Sequence, residues 1–166
     1  SGSTAASTAE QSAADSVRIA IVQQMDHASL DQIRAAIEAG LDAQAAEQGI
    51  TVEYELFNGQ NDTTTLNQIG TQVVGDGYDA IIPIATLAAQ CMVNAAAETE
   101  TPVIYAAISD PATADLTDIS YVTGTSDYLD TEFIMEMMFT ANPDIQTVGL
   151  LYSNSEPNSE AAIAAA

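Results

Sequence analysis

Residues 17–57, VRIAIVQQMDHASLDQIRAAIEAGLDAQAAEQGITVEYELF, hold one complete strand–helix–strand unit, and their reading decides the fold. The run 17–22 (VRIAIV) is short, apolar and rich in β-branched residues, as a buried strand requires. A polar break at 23–28 follows, and then Leu30, Ile33, Ile37 and Leu41 recur at the spacing that lines up one helix face. Ser29 with Gln32 three residues on forms a capping box, which predicts the helix start, and Gly49 predicts its end. Residues 50–57 (ITVEYELF) alternate apolar and polar positions as a second strand.

The same rhythm continues downstream. After a polar turn at 58–62, Asp62 can cap a helix carrying Leu66, Ile69 and Val73 on one face, closed by Gly75 and Gly77. Residues 79–84 (DAIIPI) read as a third strand, with Pro83 near its end, where a missing ladder donor is tolerated. Thr86 opens an Ala-rich helix to about residue 98, and 102–108 (PVIYAAI) and 119–125 (ISYVTGT) read as strands four and five. An apolar segment at 129–139 is predicted helical, 147–152 (TVGLLY) a sixth strand, and 160–166 (EAAIAAA) the start of another helix. The first four strands begin at 17, 50, 79 and 102 with a helix in each gap, the pattern of a parallel sheet with right-handed crossovers. The expected fold class is therefore α/β, a three-layer parallel sheet flanked by helices.

Composition narrows the function classes. The 166 residues carry 24 Asp and Glu against 2 basic residues, Arg18 and Arg34, for a formal charge of −22. Nucleic acid is excluded as a partner, because phosphate neutralisation needs clusters of Lys or Arg, and anionic headgroups repel such a surface. The 47% hydrophobic content is that of a chain that folds. The single cysteine, Cys91, lies in an apolar stretch and reads as buried and inert. No run approaches the ~18 apolar residues of a membrane span. Residues 1–16 (SGSTAASTAEQSAADS) contain little beyond small and polar residues and read as a flexible tether.

In an open parallel sheet, ligands bind beyond the carboxyl ends of the strands. The loops at 23–29, 85–88, 109–113 and 153–159 are thus the candidates. Asp26 and His27, the only histidine, can be written as an acid/base couple, or His27 can be a loop residue that hydrogen-bonds a ligand. No G-x-S-x-G elbow, second histidine, G-x-G-x-x-G or Walker pattern is present, so neither a catalytic triad, a metal site nor a nucleotide cofactor is expected. The Thr86 hydroxyl and the N–H groups of Leu87 and Ala88 either hold a ligand carboxylate or simply cap the helix. Asp110, held by Pro111, is either the counter-ion of a ligand ammonium or a turn former. Asn154, Glu156 and Asn158 follow the expected sixth strand, on a second unit that would face the first across a cleft.

From residue 17 to 166 the chain resembles the substrate-binding lipoproteins of ABC importers that include the tryptophan/tyrosine-binding group, related in fold to type I periplasmic binding proteins. The resemblance rests on RIAIVQQMDHASLDQIRAAIEAGL (18–41), IATLAAQ (84–90), ISDPATA (108–114), VTGTSD (122–127) and LLYSNSEPNS (150–159), in that order and spacing. The chain departs from the family pattern in carrying Ala28 and Leu87 where prolines are usual, and in lacking lysines. The resemblance implies a first lobe at 17–127, the incomplete start of a second at 128–166, and a hinge near 126–129. It also implies cleft contacts from Met25, Asp26, His27, Thr86, Gln90, Asp110 and 154–158.

The implied function is capture of a small molecule by hinge closure of two lobes, in a monomer without cofactor. A free amino acid, aromatic in the favoured case, would place its carboxylate at Thr86, its ammonium at Asp110, and its side chain near Met25, Tyr105 or Tyr128. The implied partner is a membrane permease, and the implied location is outside the cytoplasm on a lipid anchor. A ligand sensor of the same fold, taking a sugar or another small solute, and a hydrolase using Asp26, His27 and Ser29 are the alternatives.

Overall fold

A computed structural model describes residues 16–152, 159 and 162–164. Five strands, β1 (Ser16–Gln23), β2 (Thr51–Asn58), β3 (Ala80–Ile84), β4 (Val103–Ile108) and β5 (Val122–Ser126), alternate with four helices: α1 (Ala28–Gln48), α2 (Thr63–Gly75), α3 (Thr86–Ala96) and α4 (Thr131–Ala141). The strands form one sheet in the order β2-β1-β3-β4-β5, and every pairing is parallel.

Alternation along β1 distributes the core to both faces. Ala20 and Val22 meet Leu66, Ile69 and Val73 of α2 and Ala88, Ala89, Met92 and Val93 of α3. Ile19 and Ile21, with Ile82 and Ile84 of β3, take the apolar stripe Leu30, Ile33, Ile37 and Leu41 of α1 on the other face. That is the three-layer arrangement expected from the sequence. Cys91 is buried in the first cluster, and burial raises its thiol pKa.

Two features differ from the sequence reading for physical reasons, and one boundary agrees. The cap of α1 is His27, not Ser29: His27 is extended at φ −157°, and its Nδ1 accepts the Ser29 N–H at 3.2 Å, so the helix starts two residues earlier than the capping box implies. Gly49 ends α1 in the left-handed region at φ 67°, its N–H bonded to the Ala45 carbonyl, as expected. The sixth strand is not formed, since residues 147–152 carry no ladder. An extended apolar run needs a neighbour to take its N–H and C=O groups, and none is placed beside it among the described residues.

α4, capped by Asp130, has no buried residue, and Tyr128, Leu129, Phe133, Met137 and Leu150–Tyr152 are exposed. No described helix is long and apolar enough to cross a membrane.

Candidate functional site

Because all five strands run parallel, the loops that follow them gather along one edge of the sheet. The strand order places the topological switch point between β1 and β3: the chain leaves β1 through α1 towards β2, and leaves β3 through α3 on the opposite face towards β4. Register puts Gln23 beside both Asn58 and Ile84 at this edge, so the loops after β1, β2 and β3 start level with one another.

The loop after β1 carries three of the predicted contacts. Met25 is half-buried, and its carbonyl accepts Gln23 Nε2 at 2.8 Å. Asp26 is exposed and accepts Asn58 Nδ2 at 2.5 Å. His27 is exposed and occupied as the α1 cap, so Asp26 and His27 serve different partners and do not form the acid/base couple considered above.

At the head of α3 the capping residue is Ala85, which makes no side-chain cap and sits at φ 79°, ψ 163°, a conformation nearly reserved for glycine. Ala107, at the irregular end of β4, is likewise at φ 60°. Backbone strain of this kind, on neighbouring strand ends, is characteristic of ligand-reading loops. Thr86 is buried at 4% exposure. The expectation that the Leu87 N–H faces a ligand needs correction, because that N–H donates to Gln24 Oε1 at 2.9 Å. Gln90 is drawn away from the strand edge: its Nε2 donates to the Ala114 carbonyl at 3.1 Å. Leu87 and Gln90 line a depression of ≈ 350 Å³ with Asn67, Cys91, Asn94 and Leu116, whereas Met25, Asp26, His27 and Asp110 do not. The predicted contacts thus divide between the strand edge and the flank of α3.

Asp110 opens the loop after β4. Its Oδ1 accepts the N–H groups of Ala112 and Thr113, each at 3.1 Å, and its Oδ2 accepts the Thr113 hydroxyl at 2.6 Å. The Thr113 hydroxyl and N–H, then the Ala112 N–H, hold this carboxyl below the usual carboxylate range. Asp110 is therefore a turn former, and it stays ionised with its orientation fixed. Tyr105, expected near a ligand, is buried at 9% exposure in the α2–α3 core, whereas Tyr128 is exposed. Asn154, Glu156 and Asn158 lie outside the described residues.

The sequence list of loops omitted 59–62, although a parallel β2 brings it to the same edge. Within the 23–29 loop, the candidate side chains did not include Gln23 and Gln24, which are 2% and 1% exposed. Polar residues of this size so completely buried at a strand end need partners: the Gln24 amide has them at both ends, and Gln23 has them at Nε2 while its buried Oε1 has none among the described residues. The alternation already visible in β1 is the signal that would have sent them to opposite faces. Among the described residues, no group of three His, Cys, Asp or Glu side chains is placed to hold a metal ion.

Residues 18–165 match the family model described as ABC transporter substrate binding protein. The chain belongs to that family. A tyrosine-binding protein of Clostridioides difficile is 33% identical to this substrate-binding family member over 147 residues, which cover 86% of this chain and 42% of the relative. A Streptococcus pneumoniae ABC domain solved in complex with L-Trp superposes with a TM-score of 0.80 at 34% identity, over 90% of this chain and 52% of that one. A ligand-free, open substrate-binding protein with adhesive properties from Clostridium difficile gives a TM-score of 0.70 at 30% identity, over 90% and 52%. The chain thus spans about half the length of these family members.

Proposed function

We propose that this chain supplies the first ligand-reading lobe, residues 17–127, and the opening of the second lobe of an extracytoplasmic binding protein that delivers a free aromatic amino acid to a membrane importer. The observation that carries the reading is the switch-point edge, where a strained, locally uncapped α3 start stands on the strand next to the fixed, ionised Asp110. An amino acid presents one anionic and one cationic group to any receptor. The α3 start offers N–H groups and a positive dipole end to the first, and Asp110 offers a carboxylate to the second. Relatives that bind tyrosine and L-Trp support this choice of ligand.

Binding then proceeds by closure of a second lobe over the ligand, driven by the higher affinity of the closed state. Asn154, Glu156 and Asn158 are proposed contacts from that lobe, and Met25 and Tyr128 flank the side chain. In this reading the protein is a monomer without cofactor that performs no chemistry on its ligand. It is held outside the cytoplasm by a lipid anchor ahead of residues 1–16, and docks on a permease.

Calorimetry on the full-length protein tests this reading with L-Trp, L-Tyr, a sugar panel and purines. Binding of an aromatic amino acid is expected, weakened about 10- to 100-fold in Asp110→Asn, which keeps an oxygen for the 110–113 turn but removes the charge. Binding of sugars or purines without any amino acid refutes the ligand class. Unchanged affinity in Asp110→Asn removes its counter-ion role.

A further inference from the structure

The cap of α3 differs in kind from those of its neighbours. α2 and α4 are capped by carboxylates, Asp62 and Asp130, each accepting an N–H from its own first turn. α3 has no local side-chain cap and no acidic residue in its first turn. Its cap comes instead from Gln24, 63 residues earlier, whose Oε1 accepts the Leu87 N–H at 2.9 Å. The other end of the same amide donates to Asn61 Oδ1 at 2.9 Å, in the turn after β2. The main chain of Gln24 extends the junction: its N–H reaches the Ile84 carbonyl at 3.2 Å and its carbonyl accepts the Asn61 N–H at 2.8 Å. Gly59 approaches this carbonyl so closely that a Cβ there would lie 3.0 Å from it. One side chain at 1% exposure therefore ties together the loops after β1, β2 and β3 at the switch point.

A neutral amide in this place has an electrostatic consequence. The chain has 24 acidic residues, and a carboxylate is its cap on two other helices, yet the helix start at the switch point is capped without charge. An anionic cap would neutralise the positive end of the helix dipole and repel a second anion beside it. We propose that Gln24 is a positioning residue that fixes the α3 start against the 59–62 turn while leaving its dipole available for the carboxylate of the ligand. This rests on the carboxylate placement proposed above. On the other face Gln23 Nε2 donates to the Met25 carbonyl and to Asp31 Oδ1 at the start of α1, each at 2.8 Å, but it caps no described helix.

The test compares L-Trp with L-tryptophanamide, which lacks the carboxylate charge, on full-length wild type and Gln24→Glu, with Tm measured alongside. A glutamate keeps the acceptor for Leu87, and Asn61 can turn its amide to donate, so both hydrogen bonds can be kept. Wild type should favour the acid over the amide, and Gln24→Glu should weaken the acid by at least about 10-fold while changing the amide by less than about 3-fold. Equal losses for both ligands, or an unchanged preference, overturn the role of Gln24. A wild type that binds acid and amide alike overturns the carboxylate placement itself, and this inference with it. Should Gln24→Glu fail to fold, Asn61→Asp puts the charge one hydrogen bond further out, at an exposed residue, and an acid-selective loss of about 3-fold is expected. No selective loss there overturns the inference as well.

Discussion

Gly124→Val is expected to destabilise the chain by about 3 kcal/mol or more, lowering the urea midpoint by about 1 to 2 M. Gly124 lies opposite Tyr105 in the β4–β5 ladder. A Cβ there would overlap both the Tyr105 ring and the Tyr105 carbonyl oxygen. The ring cannot swing away freely, because Tyr105 is buried with Val103 and Ile108 in the α2–α3 core, and the carbonyl is part of the sheet backbone. Relief requires β5 to slide or detach. That would also disturb Asp127, which joins the fourth and fifth loops through its N–H to the Ile108 carbonyl and its carboxylate to the Ser109 hydroxyl. Gly124→Ala should show a smaller loss of the same sign. An unfolding free energy within about 0.5 kcal/mol of wild type in both variants would mean that β5 is not seated on Tyr105 as described.

The second large effect is on salt. With a formal charge of −22 and only two basic residues, the chain has almost no counter-charge of its own. Both cations are already engaged. Arg18 donates to the Asp76 carbonyl at 3.0 Å and lies 4.4 Å from the centre of the Tyr78 ring, and Arg34 pairs with Glu38 at 3.2 Å. The remaining carboxylates repel one another in the compact state more than in the expanded one. Raising NaCl from 0.1 M to 1 M shortens the screening length from about 10 Å to about 3 Å, so Tm is expected to rise by about 10 °C. KCl should match NaCl at equal ionic strength, while an uncharged osmolyte at the same osmolality should do much less. A Tm that is flat in salt, or that rises as much in sucrose, would show that self-repulsion does not limit stability.

Much of the fold was legible because each element carries its own signal. Leu30, Ile33, Ile37 and Leu41 announce α1, Asp62 announces the start of α2 and does cap it, and the 17–22 and 79–84 runs are too apolar and too short for anything but buried strands. The errors fall where a competing partner or a missing one decides. Ser29 and Gln32 match a capping pattern, but the Nδ1 of His27 reaches the free N–H first. Residues 147–152 have the composition of a strand and no described neighbour to pair with.

The candidate site was legible at the level of loops and much less so at the level of side chains. Parallel topology selects the edge at which these loops gather, and Asp110 followed by proline carries its turn role on its face. Nothing local to residue 24 says that its amide will cap a helix 63 residues away or meet Asn61 across 37 residues, nor that Ala85 will be held at a positive φ. Those facts are properties of three loops meeting, and a single loop does not encode them.

The central claim is that the ligand is read at the switch-point edge, with its carboxylate at the start of α3. Amide chemical-shift mapping on the ¹⁵N-labelled full-length protein, titrated with L-Trp, addresses it most directly. The account predicts the largest shifts within this chain at 25–27, 85–88 and 109–113. Shifts centred instead on Asn67, Asn94 and Leu116, on the flank of α3, would contradict it.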